Sequence, residues 1–251
     1  MALAVQVDGE LDGIPTTLSR CGALADPRVS LSANGTRAGA AVTRNVALGR
    51  SSAPLIQNLD ADDELEPTAL RTLLTALRDH PDAGFAVGPA RDLHASGALR
   101  EFPIALPDGP IPRGALVDAW ITEPDRYHVP VHPAGVMWRR DLLLTVGGWS
   151  AAHGMEDTAL LMAASALAPG VVVRGPTLRY RKHRAQTSTK VSGFEGEGGR
   201  FRLFAAEWHF CERLPRGRLR LSPPVSSRSS DAGRPFPTGE FVSGAHIGGT
   251  G

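Results

Sequence analysis

The chain has 251 residues, a net charge of +1, 42% hydrophobic and 21% charged residues, ordinary globular usage with enough length to bury a core. The balanced charge excludes a broad basic surface for nucleic acid, and an aromatic content of 6% excludes a stacking platform for single strands. The 28 glycines and 20 prolines fall below the level of a wholly disordered chain.

Ala2–Val7 is a short apolar run ending in Asp8-Gly9 and reads as a strand entering a turn. Leu11–Ala25 reads as a helix stopped by Pro27, Arg28–Ser32 as a short strand, and Ala38–Leu48 as an Ala-rich helix after the Asn34-Gly35 turn. Pro54–Leu59 is an apolar strand that runs into the acidic cluster Asp60, Asp62, Asp63 and Glu64. Pro67 suits a first helical turn, and Leu70, Leu73, Leu74 and Leu77 then follow at the spacing of a buried helical stripe. Ala83–Pro89 reads as the next strand. Strands alternating with helices predict an α/β sheet with parallel pairs.

Leu93–Pro133 is rich in Pro and Gly and reads as long loops with short elements, where binding residues often sit. Gly135–Arg139 reads as a strand, Asp141–Val146 as a short helix closed by Gly147-Gly148, and Glu156–Ala168 as a helix with an acidic first turn. Val171–Val173 and Leu178–Arg181 read as two further strands. Residues 1–191 are expected to form one domain, 192–213 a C-terminal helix, and 214–251 a disordered, Ser/Pro/Gly-rich tail.

The two cysteines, Cys21 and Cys211, supply neither a disulfide framework nor a zinc pattern. Acidic residues arrive too early in MALAVQVDGELDG for a signal peptide, and no run approaches the roughly 18 apolar residues of a membrane span. A cytoplasmic protein without a transmembrane segment is expected.

Three constellations carry chemistry. Asp60 and Asp62, one residue apart at a strand end, offer hard oxygen ligands to Mg²⁺ or Mn²⁺, which commonly complete their shell with phosphate oxygens. An EF-hand is excluded, because the sixth position counted from Asp60 is Leu65 and the twelfth is Arg71. The alternative for this cluster is a cap on the helix that follows Pro67. Glu156-Asp157, at a helix N-terminus, suits either a general base or a cap. Arg174–Lys190 is basic throughout, includes Arg181 and His183, and suits either a departing diphosphate or the guarding of an edge strand.

Taken in order, VQVDGELD (5–12), TRNVAL (43–48), LDADDELEPTAL (59–70), GGW (147–149), MEDTALL (155–161) and YRKH (180–183) resemble glycosyltransferase family 2. The resemblance implies an A-type glycosyltransferase fold, Rossmann-like, with a mixed, mostly parallel central sheet. It also implies sugar transfer from a nucleotide-diphospho-sugar to an acceptor hydroxyl with inversion, assisted by Mn²⁺ or Mg²⁺. Asp8, Arg44, Asp60, Asp62, Arg181 and His183 would then bind the nucleotide-sugar, with Asp60 and Asp62 also on the metal. Asp157 would be the base, with Glu156 beside it, and Arg44 and Asn45 would shape the pocket wall. The acceptor would be a carbohydrate or a lipid-linked molecule, the latter bringing the enzyme peripherally to a membrane.

Two departures from the family pattern accompany the resemblance. Val7 and Glu10 stand where it has Asp and Ser. Met1 falls just before what reads as the second strand, so a first βα unit of roughly 30 residues is expected to be missing. The second functional reading is accordingly a truncated, non-catalytic domain of the same fold that binds nucleotide or a protein partner.

Overall fold

A computed structural model describes residues 1–102, 104, 106–121, 131–150, 156–184, 186 and 240–245. In chain order the elements are β1 (Ala2–Val7), α1 (Ile14–Arg20), β2 (Val29–Ala33), α2 (Ala40–Arg50), β3 (Leu55–Asp60), β4 (Glu64–Leu65) and α3 (Ala69–Asp79). They continue with β5 (Phe85–Val87), β6 (Ala90–Leu93), β7 (Leu99–Phe102), β8 (Gly109–Ile111), α4 (Ala115–Ile121), β9 (Val136–Arg139) and α5 (Arg140–Thr145). The last are α6 (Glu156–Leu167), β10 (Gly170–Val172), β11 (Leu178–Arg181) and β12 (Glu240–Ala245).

Eight strands form one sheet in the order β2-β1-β12-β3-β9-β5-β10-β8, and four form a smaller one in the order β4-β11-β6-β7. In the large sheet β9 runs antiparallel to both β3 and β5, and β8 runs antiparallel to β10. The remaining pairs are parallel. The result is the mixed, mostly parallel α/β sheet that the alternation of elements predicts.

Both faces of that sheet are covered, as parallel sheets require. Along β9, Val136 and Trp138 point into one core and Met137 into the other. Phe85 and Val87 of β5 share the first core with Leu142, Leu143, Leu160 and Leu161 of α5 and α6. Ala86 joins the second with Leu73 and Leu77 of α3. This is the period of two expected of a strand read from both sides. Phe85 and Trp138 meet with ring centroids 5.7 Å apart, and a Cβ on Gly170 would lie 2.4 Å from the Phe85 ring, which is why β10 begins with glycine.

The predicted stripe on α3 holds for Leu73 and Leu77, which are buried, whereas Leu74 is 39% exposed. The buried line runs through Ala69, Leu73 and Leu77, four residues apart, which leaves Leu74 at the edge of the stripe. The predicted helix over 11–25 is shorter, because Gly22 takes a left-handed conformation and divides α1 from a single 3-10 turn at Ala23–Ala25.

The tail behaves in one place differently from its composition. Glu240–Ala245 forms β12, parallel to β1 on one side and to β3 on the other. Residues 246–251 and 187–239, which include the expected helix at 192–213, lie outside the described residues. Among the described residues no helix is long and apolar enough to cross a membrane.

Candidate active site

The carboxyl ends of β1 and β3 deliver Asp8 and Asp60 to one edge of the sheet, the edge at which open α/β sheets bind ligands. Helix α2 contributes Arg44, and the N-terminus of α6 contributes Glu156 and Asp157. From the second sheet, the end of β11 brings Arg181 and His183 against the acidic turn after β3.

Arg44 joins two of the constellations. Its Nη2 donates to Asp60 Oδ1 at 2.7 Å, and its Nη1 donates to Glu156 Oε1 at 3.2 Å and Asp157 Oδ1 at 3.1 Å. The side chain is only 4% exposed, and three carboxylates around one guanidinium hold its pKa above the ordinary value despite burial. Residues 44, 60 and 156–157, distant in sequence, are therefore one electrostatic unit.

Asn45 fixes the next segment. Its Nδ2 donates to the Trp149 carbonyl at 2.8 Å while its Oδ1 accepts from the Trp149 backbone N–H at 2.9 Å. Gly148 has a φ of +72°, and a Cβ there would lie 2.3 Å from Asn45 Oδ1, so the turn needs glycine for both conformation and space. So held, Trp149 donates its indole N–H to Asp157 Oδ1 at 2.7 Å. Burial pushes the Asp157 carboxyl up to about 6, with Asp60 and Glu156 adding to the rise and Arg44 and Trp149 opposing it. Trp149 was visible in the GGW segment, but its contact with Asp157 depends on the fold and has no sequence signal.

The acidic turn is tied to the basic strand. Asp62 Oδ2 and His183 Nε2 are 2.9 Å apart, with both side chains partly exposed. Asp63 Oδ1 accepts from the Arg181 backbone N–H at 2.9 Å, and Arg181 Nε donates to the Asp62 carbonyl at 2.7 Å. Arg181 also pairs with Glu64. The other Asp63 oxygen is buried without a hydrogen-bond partner among the described residues, and burial beside Asp60 and Asp62 pushes this carboxyl up to about 8. None of these carboxylates caps α3, whose first turn has no acidic residue and whose N-cap, Thr68, makes no side-chain bond. The capping alternative for the cluster is therefore set aside.

Asp8 is engaged locally. Its carboxylate accepts from the backbone N–H groups of Ala38 and Gly39 and from Asn34 Nδ2, and its pKa is lowered, although burial alone would raise it. It closes the loop between β2 and α2. Asn34 in turn bonds Thr43 and the buried Gln6 of β1, a polar net beneath the site that no spacing rule identifies.

A divalent cation fits the donor chemistry at Asp62 and His183, a carboxylate oxygen beside an imidazole nitrogen at a partly exposed edge. Asp60 lies at the same turn with one oxygen on Arg44. Among the described residues no group of three or more such side chains converges, so a cation here would need further ligands such as phosphate oxygens or water.

A family model described as Glycosyl transferase family 2 matches residues 5–102, a span that contains Asp8, Arg44, Asp60 and Asp62. No curated protein matches the sequence. The crystal structure of S. aureus TarS is similar, with a TM-score of 0.54 and 14% identity, covering 82% of this chain and 39% of that one. The crystal structure of GalNAc-T7 with UDP, GalNAc and Mn²⁺ is similar with a TM-score of 0.52 and 11% identity, covering 86% of this chain and 52% of that one. The chain thus spans between two fifths and about half of these structures' length. At such identities the likeness establishes the fold. The architecture of the chain is thus the A-type glycosyltransferase fold, and its residues 5–102 carry the match to the family 2 model.

Proposed function

We propose that the chain carries the catalytic site of an inverting glycosyltransferase that uses a nucleotide-diphospho-sugar with Mn²⁺ or Mg²⁺. The observation that carries this reading is the Arg44 hub, which holds Asp60 and Asp157 in one fixed arrangement. The binding of a metal and nucleotide in GalNAc-T7 is consistent with it.

Asp157 is the base. One of its oxygens is occupied by Arg44 and Trp149, which orients the carboxylate toward the acceptor. With its pKa raised to about 6 it is charged at neutral pH yet more basic than an ordinary aspartate. It takes the acceptor hydroxyl proton as the acceptor oxygen bonds to the anomeric carbon. The bond from that carbon to the phosphate oxygen breaks, the electron pair leaves with the nucleoside diphosphate, and the single displacement inverts the configuration.

Asp60 and Asp62, with His183, hold the cation, which when bound neutralises charge on the diphosphate. Arg181 fixes the acidic turn and presents positive charge on the diphosphate side. Asp8 and Arg44 shape the nucleotide side of the cleft. Glu156 shares the Arg44 charge and keeps the guanidinium in place. The acceptor is a carbohydrate or lipid-linked hydroxyl, and the site of action is cytoplasmic.

Release of nucleoside diphosphate from a panel of donors with Mn²⁺ tests this reading. Asp157→Asn is expected to lower turnover by about 100-fold or more with donor binding retained, the size of a lost general base. Asp62→Ala is expected to lose the stimulation by Mn²⁺ and with it most of the turnover. Full turnover in both variants would overturn the assignment.

A further inference from the structure

The large sheet ends at β2 on one side and at β8 on the other, and the small sheet ends at β4 and β7. An open strand edge is a template for another chain, and proteins commonly blunt it with proline, charge or shortness. Three of these four edges are blunted. Strand β8 has Pro110 at its centre, β4 is two residues long and carries Glu64, and β7 carries Arg100 and Glu101. Strand β2, with the sequence VSLSA, has neither charge nor proline, and none of its residues is fully buried. Among the described residues no strand pairs with its outer edge.

The ladder with β1 fixes which backbone groups lie on that edge. At its two ends the Leu3 N–H donates to the Arg28 carbonyl at 2.8 Å, and the Asn34 N–H donates to the Val7 carbonyl at 3.0 Å. Alternate residues of a parallel strand bond the same neighbour, so 28, 30, 32 and 34 face β1 while 29, 31 and 33 face outward. The Val29 N–H is already taken by the Asp26 carbonyl at 2.9 Å. The outward groups open to a partner are the Val29 carbonyl and both groups of Leu31 and Ala33.

We propose that this edge is a dimer interface, occupied by β2 of a second copy of the chain running antiparallel about Leu31. In that register Leu31 lies opposite its own counterpart, and the two residues exchange both hydrogen bonds. Each Ala33 N–H then donates to the Val29 carbonyl of the other copy, and the occupied Val29 N–H is not called upon. The free groups are thus complementary to themselves, as a two-fold interface requires. The charges agree with this register. Ser30 meets Ser32 and Arg28 meets Asn34, while the Arg28 charge is held within its own chain by Asp26, with Nη2 and Oδ2 2.6 Å apart. No like charges face one another along the paired strands. Leu24, 37% exposed on the 3-10 turn that packs against β2, adds apolar surface beside the edge.

Sedimentation velocity of the full chain from about 1 to about 200 μM tests the proposal, and its outcome is independent of the proposed activity. A dimer with a micromolar dissociation constant is expected, as suits a small contact of one strand pair and its flanks. Leu31→Pro removes an outward N–H and spares the ladder with β1, a placement that edge strands tolerate. It is expected to weaken the dimer by about 30-fold, the effect of two lost backbone hydrogen bonds. Should that variant fail to fold, Ser30→Glu with Ser32→Glu sets carboxylates opposite one another across the axis and is expected to abolish the dimer. Amide exchange over 29–33 in the natural sequence is expected to slow as concentration rises. A monomer throughout the range would overturn the proposal. So would a dimer that resists these substitutions, or one that forms with exchange over 29–33 unchanged.

Discussion

Arg44 is the residue on which the site's electrostatics turn. It is nearly inaccessible and faces Asp60, Glu156 and Asp157, so its removal leaves three carboxylates facing one another without a counter-charge. Arg44→Met should therefore destabilise the protein by about 3 kcal/mol, the low end for breaking a buried ion pair because its partners are partly exposed. Urea unfolding at neutral pH checks this. Asp63 makes the opposite case, a charge that the fold tolerates poorly. Its pKa is raised from about 4 to about 8 by burial, so the native state holds its proton more tightly than the unfolded chain does. Its contribution to stability is full below about pH 4 and is lost as pH rises toward 8. In chelator-treated protein, Asp63→Asn should gain about 1–3 kcal/mol over the natural sequence at pH 8 and little at pH 4. Melting temperatures at the two pH values give the comparison.

Among the elements, the link between α2 and the Gly147–Trp149 turn is the most closely fitted. Gly148→Ala should cost at least about 1 kcal/mol, since it strains a positive φ and drives a Cβ into Asn45. Asn45→Ala removes both bonds of the clamp, and in that background Gly148→Ala should cost less because the clash is gone. A double-mutant cycle by chemical unfolding should show this non-additivity. On α3, Leu77→Ala should cost about 2–5 kcal/mol and Leu74→Ala under about 0.5, because one leucine is buried in the core and the other is 39% exposed.

Most elements were legible because local pattern decides them. The strand over Ala2–Val7 stands where its apolar run places it, and Leu178–Arg181 is a strand as read. Leu74 was not, since a four-leucine stripe cannot say which member a flat sheet will cover. The two-residue β4 could not be read from Glu64-Leu65, because its pairing with β11 is made by partners over a hundred residues away. The same holds in the site. The acidic pairs and the basic strand are visible as sequence, whereas the Arg44 hub and the Trp149–Asp157 bond exist only through long-range packing.

At the scale of the molecule, a near-zero net charge hides an ordered separation. Acidic strand ends and the N-terminus of α6 face one another across Arg44, and the basic end of β11 closes the turn after β3. This arrangement is suited to an anionic ligand only when a cation reduces the local negative charge, since Asp60, Asp62, Glu156 and Asp157 would otherwise repel a diphosphate. The proposed function therefore predicts that donor binding and metal binding are coupled. Isothermal calorimetry of the full chain with uridine and guanosine diphosphates, with Mn²⁺ or with chelator, measures that coupling directly. Heat of binding with Mn²⁺ that disappears with chelator and in Asp62→Ala is the predicted result, and equal binding with and without the metal, or none under either condition, would contradict it.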